Sequence, residues 1–225
     1  MNPKNQSLRS WWSLLFPWFL ITASGCISKP SLVKETFLIH PSHASASAPK
    51  SKSSVTVAQA GGLALRHFNV APALEHRSFL YRIGDQTFER DPYAEFLVPP
   101  SRVLPDALRS MLRRTEVFKF VLDSSSNLTP DLSADLAVTE FHGDFRKLDS
   151  PSAVMCIRIV VLNMHDLKPG VPWYEKEIRR ELPIPTRTAA ALAEGWNKAL
   201  GEIADEFARD MSRLAQKGAV GFESP

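Results

Sequence analysis

The twelve residues from Ala153 to Met164, AVMCIRIVVLNM, are apolar at nearly every position, with Arg158 and Asn163 as the breaks. Successive side chains of an extended chain point to opposite faces. A run apolar on both faces therefore belongs to an interior strand, covered on its two sides and paired on its two edges. It is too short to span a bilayer as a helix, which takes roughly 20 apolar residues. Cover for such a strand is available downstream. From Thr186 to Gln216, the residues Ala189, Leu192, Ala193, Trp196, Leu200, Ile203, Phe207, Met211 and Leu214 recur every three or four positions. Glu194, Lys198, Glu202, Asp205 and Arg209 fall on the opposite side. This is the pattern of a long amphipathic helix laid on a sheet. Its polar face mixes charge signs, unlike the Lys/Arg-rich face of a membrane-surface helix.

Earlier elements follow from the same reasoning. Lys34 to His40 is a short strand, and residues 41–58 form a Ser-rich flexible loop. Leu63 to Val70 reads as the next strand. Phe79 to Arg90 reads as a hairpin, with Gly84-Asp85 as a two-residue turn in which glycine takes a positive φ. Tyr93 to Val98 continues extended until Pro99-Pro100. Ser101 stands where a helix cap would, and Val103, Leu104, Leu108, Met111 and Leu112 form one helical stripe. Phe118 to Leu122 and Leu136 to Phe141 are strands. Trp173 to Leu182, charged on both faces, suits an edge strand whose charges discourage association. The fold class expected is α+β, a mixed α/β sandwich. It has a mostly antiparallel sheet, one mid-chain helix and one long C-terminal amphipathic helix.

Catalytic patterns are sparse. None of the six histidines lies in an HExxH or a Cys/His zinc spacing. His142 in FHGDF could pair with Asp144; the plainer reading is a strand end followed by a glycine turn. Cys156, within the most apolar strand, is expected to be an inert thiol with a raised pKa. No GxSxG, P-loop or GxGxxG occurs. The expectation is a protein that is not an enzyme, with no metal and no cofactor. Trp173-Tyr174 on the edge strand, Tyr81 and Arg82 in the hairpin, and Phe96 before Pro99-Pro100 are candidate interface residues.

The N-terminus bounds the compartment. Lys4 and Arg9 precede an apolar stretch from Trp11 to Ile21, and Thr22, Ala23, Ser24 and Gly25 lead to Cys26. A basic start, a short apolar segment and small residues make an export signal. A cysteine directly after them resembles the bacterial lipobox. A thiol there can be joined to diacylglycerol, and further acylation, palmitate included, makes the anchoring firm. The expected organisation is a signal peptide over 1–25, lipidation at Cys26, a tether over 26–33, one periplasmic domain over 34–217 and a tail over 218–225. Ile27 follows the cysteine in place of the Asp that retains lipoproteins at the inner membrane, which favours the outer membrane. The formal charge of +3 falls to about +1 once Lys4 and Arg9 are removed. That leaves no electrostatic footprint for nucleic acid. With Cys26 acylated, Cys156 has no disulfide partner.

The run FLYRIGDQTFERDPYAEFLVPPSRVLPDALRSMLRRTEVFKFVLD, residues 79–123, resembles the ABC-type transport auxiliary lipoprotein family. The shared features are the Tyr81-Arg82 strand, the Gly84-Asp85 hairpin, Phe96 before Pro99-Pro100, the helix from Ser101 and the strand opening at Phe118. The resemblance implies a non-enzymatic component held on the periplasmic face of the outer membrane by its lipid. Its partners would be an ABC permease, an ATPase and a mammalian-cell-entry type substrate-binding protein that moves lipid between membranes, and homo-oligomerisation is an expectation of this reading. It implies no catalytic residue. A structural or assembly lipoprotein of the envelope is the competing class, and a small-ligand binder is a third.

Overall fold

The computed structural model describes residues 34–39, 60–166 and 171–216. The expected signal peptide, lipidation at Cys26, sorting position Ile27, tether, Ser-rich loop and tail fall outside the described residues. All three stretches fall within the unit Lys34–Pro225.

Eight strands and two helices make up the fold among these residues: β1 Glu35–Phe37, β2 Gly62–Val70, β3 Ser78–Arg82, β4 Phe88–Phe96, α1 Pro100–Arg114, β5 Phe120–Leu122, β6 Leu132–Asp144, β7 Ser152–Asn163, β8 Tyr174–Pro183 and α2 Ala189–Gln216. They form the α+β sandwich expected. One sheet runs β1-β4-β3-β6-β2-β5, with β7 and then β8 added on the other edge of β6. The two long ladders, β6–β7 and β7–β8, are antiparallel. Four shorter joints, β1–β4, β2–β5, β2–β6 and β3–β6, are parallel.

β7 is interior, as its sequence demands, yet its cover is uneven. Residues 152–157 are buried on both faces. Beyond them Arg158 is exposed and Leu162 is open. One face lies under α2. On the other, Cys156 stands between Glu140 of β6 and Arg179 of β8 in the register. The Arg179 Nε donates to Glu140 Oε2 at 2.6 Å, so an ion pair passes over the thiol and shields it from water.

Both helices pack against each other on one face of the sheet. Trp196 is the hub of the core. Its ring lies 4.5 Å from Phe141, 4.9 Å from Phe79 and 5.5 Å from Phe96 between centroids, and its Nε1–H donates to the carbonyl of His142. Glycines let α2 approach this closely. A Cβ on Gly195 would sit 2.6 Å from the Ala153 Cβ, and one on Gly143 would meet Leu192 at 2.8 Å. The start of α2 is capped by Thr188, whose Oγ1 accepts from the Ala191 N–H.

Three local expectations change. The hairpin loop spans Ile83 to Thr87, closed by Ile83 and Gly84 N–H groups donating to the Thr87 carbonyl. It is therefore longer than two residues, and Gly84 keeps a negative φ. The first helix starts at Pro100 with Pro99 as its cap residue. Proline at the first position costs no hydrogen bond, and Ser101 instead turns its hydroxyl to Glu75. Finally, β6 runs through His142 and Gly143 to Asp144; the glycine lies within the strand, not in a turn.

Candidate functional site: a groove where the sheet forks

β6 is long enough to pair with two strands along one edge. Leu132 to Val138 carry β2, and Gly143 with Asp144 carry β3. Between them the β6–β7 ladder bulges at Thr139. β2 leaves the edge at Val70, and a 3-10 turn, Pro72–Leu74, carries the chain across to β3. A groove of about 510 Å³ opens at this fork. That lies inside the range of small-ligand sites, roughly 300–1,000 Å³.

Its apolar wall comes from Ala71, Ala73 and Leu74 of the crossing, Leu80 of β3 and Phe88 of β4. Phe88 keeps 47% of its surface open. Two arginines, Arg82 and Arg90, stand among these side chains. Arg82 donates to the carbonyls of Gly84 and Asp85 and lies 5.9 Å over the Phe88 ring. Arg90 donates to the Ala73 carbonyl at 2.7 Å. These bonds occupy two of the five guanidinium N–H groups of Arg82 and one of those of Arg90. Neither has a carboxylate partner among the described residues. Glu140, the acid on the groove, is already paired with Arg179.

His142 closes the groove. It is 4% exposed, its ring stands edge-on to Phe88 at 5.5 Å, and its Nε2 has no hydrogen-bond partner among the described residues. Burial pushes its pKa below the ordinary imidazole value, and Arg82 and Arg179 add to that, outweighing the opposite pull of Glu140 and Asp144. The imidazole is neutral at pH 7 and offers one donor and one acceptor. Asp144 is not its partner: Arg146 holds that carboxylate bidentately, with Nη2 at 2.6 Å, and lowers its pKa.

The candidate interface residues separate. Arg82 lines the groove. Tyr81, its neighbour, is half-buried, stacked on Phe145 at 4.7 Å and donating to Asp91; burial and that carboxylate raise its pKa. Phe96 is 2% exposed and packs on Phe79, Phe141 and Trp196. It is a core residue, which corrects its reading as a contact: its place in β4 turns it under the helices. Trp173 and Tyr174 are half-buried against the core. Tyr174 packs on Phe207 and donates to Asp210 at 3.0 Å. They also lie far from the hairpin. Tyr81 is level with Gly143, which pairs with Ala153, whereas Tyr174 pairs with Val161. Eight residues of strand separate these rows, ~26 Å at about 3.3 Å per residue.

Cys156 is buried beneath its ion pair, and burial pushes its thiol pKa up to about 11. Among the described residues, no three His, Cys, Asp or Glu side chains group as a metal site. No helix there is long and apolar enough to cross a membrane. The groove itself escapes sequence reasoning, because Ala71–Leu74, Leu80–Arg90 and Thr139–His142 meet only through the fork. The available signal was FHGDF, a histidine between an aromatic and a glycine near the end of a strand.

No protein-family model matches the chain in sequence, and no curated protein does. Solved structures do match it in fold. A Xanthomonas campestris protein of the DUF330 family superposes with a TM-score of 0.62 at 15% identity, covering 73% of this chain and 92% of that one. A second protein of uncharacterised function superposes with a TM-score of 0.61 at 13% identity, covering 80% and 99%. The chain shares their fold.

Proposed function

We propose that this chain is a lipid-anchored auxiliary lipoprotein of an ABC-type, mammalian-cell-entry linked lipid transport system. In this reading it acts without enzymatic chemistry, as a docking component on the periplasmic face of the outer membrane. Cys26 carries the anchor. The observation that carries the proposal is the coincidence of two features in one stretch. The run over residues 79–123, which bears the family resemblance, also supplies the β3–β4 wall of the groove and the helix beneath the sheet. The near-neutral charge of the mature chain favours recognition by shape and apolar contact over long-range steering.

Affinity purification of the full, tagged chain from crosslinked cells tests this. The expected result is recovery of a mammalian-cell-entry type protein or an ABC permease. Recovery of neither overturns the transport reading, and recovery of outer-membrane assembly components in their place establishes the assembly-lipoprotein reading.

A further inference from the structure

We propose that the groove at the fork of the sheet is a lipid site, holding an acyl chain against Leu74, Leu80 and Phe88 and its anionic head on Arg82 and Arg90. The inference rests on the transport reading for its biological meaning and on the groove for its chemistry. It assigns to this subunit direct contact with the transported molecule, which a docking role does not require.

Three features of the groove converge. The first is charge without a counter-charge. Arg82 and Arg90 each keep guanidinium N–H groups uncommitted, and neither has a carboxylate partner among the described residues, while Glu140 is taken by Arg179. Guanidinium groups with donors to spare, lining one concave surface from diagonal positions of the β3–β4 pair, suit a carboxylate or phosphate. The second is the apolar wall, with Phe88 nearly half open to water. An anion alone gains nothing from such a wall, whereas an acyl chain gains in proportion to the apolar surface it covers. The third is His142. Its Nε2 is buried without a partner among the described residues, which is costly in a folded protein, and a head-group oxygen or hydroxyl would reach it where the ligand shifts the Phe88 ring that stands against the imidazole. Head and chain are thus recognised by different parts of one site. The geometry points to an amphiphile rather than to an inorganic ion or an uncharged lipid.

Photo-crosslinking on the full chain in its membrane tests the assignment. Three probes carry a diazirine in the acyl chain: palmitate, phosphatidylglycerol and uncharged monoacylglycerol. Labelled peptides are mapped by mass spectrometry. The expected result is labelling within residues 71–90 and 139–142 by an anionic probe, with the palmitate and phosphatidylglycerol arms telling a fatty acid from a phospholipid. Arg82→Gln combined with Arg90→Gln should lower that labelling about tenfold or more, as expected for charge-assisted hydrogen bonds, with cooperative unfolding retained although the bonds to the Gly84, Asp85 and Ala73 carbonyls are lost. Phe88→Glu, which needs no change in the core, should abolish it. Equal labelling by monoacylglycerol overturns the anionic head. Label absent from the groove overturns the lipid site. The partner purification above is read separately. Partners recovered with an unlabelled groove sink this inference alone, while a labelled groove without partners sinks the transport reading alone.

Discussion

His142 is where one residue bears most on the behaviour of the protein. Its pKa is lowered by burial, so the unfolded chain binds a proton on this ring at a pH where the folded chain does not. Stability then rises with pH wherever the unfolded state holds more protons. The contribution is fully present above the ordinary imidazole value near 6.5. It is lost as the pH falls below that value toward the lowered folded pKa. The carboxylates with lowered pKa values, such as Asp144 and Glu206, have the same sign but act in a lower window, below the ordinary 3.8 to 4.5. Melting temperature measured from pH 7.5 to 5 should therefore decline in the wild type and decline less in His142→Gln. The difference between the two curves isolates this ring from the other titrating groups. Parallel curves would show that the imidazole is not held neutral.

At the scale of elements, the contact between α2 and β7 decides whether the sandwich closes. The amphipathic stripe of α2 explains why that helix packs on a sheet, but not how near it comes. The distance is set by Gly195 over Ala153 and by Gly143 under Leu192. Gly195→Ala adds helix propensity of roughly 1 kcal/mol and at the same time drives a methyl group into two neighbours, Ala153 at 2.6 Å and Ile184 at 2.8 Å. Ala153 is held in β7 and Ile184, just past the end of β8, is buried, so the clash outweighs the propensity, and overpacking of this kind costs about 1–3 kcal/mol. The expected outcome is a lower midpoint in chemical denaturation, by a net of up to ~2 kcal/mol. Gly201→Ala, on the same helix with nothing within 4 Å of the added atom, should stabilise instead. A stabilised Gly195→Ala variant would show that the helix sits farther from the sheet. Across the edge, β8 meets α2 through Lys176 with Asp210 at 2.7 Å and Glu206 at 2.9 Å, and through Arg180 with Glu202 at 3.2 Å. These pairs are partly exposed, so each is worth little by itself; they set the register of the helix over an edge strand whose other face is polar.

At the scale of the whole molecule, the anchored reading places the sandwich and its groove beside a membrane, within reach of lipid. Cys26→Ser should then leave an unprocessed, unacylated precursor, seen as a retained N-terminal segment by mass spectrometry of the intact chain. Normal maturation of that variant would remove the anchor from the account and leave the groove to be explained from solution ligands.

What the residues determined by themselves was local and periodic. The apolar run of Ala153–Met164 called for an interior strand, the three-and-four spacing after Thr186 called for a long packed helix, and Pro99-Pro100 called for a strand-to-helix junction. Each is a consequence of side chains a few positions apart, and each is present in β7, α2 and the start of α1. What only the tertiary structure decided was pairing across distance. The parallel joints of β6 with β2 and β3, the burial of Phe96 under Trp196, the ion pair over Cys156 and the ~26 Å between the hairpin and Trp173-Tyr174 all depend on how segments from 39 to 100 residues apart are brought together. The groove is the clearest case. It exists because one strand outlasts its first neighbour and takes a second, and the side chains that line it acquire a common surface only when that fork has formed.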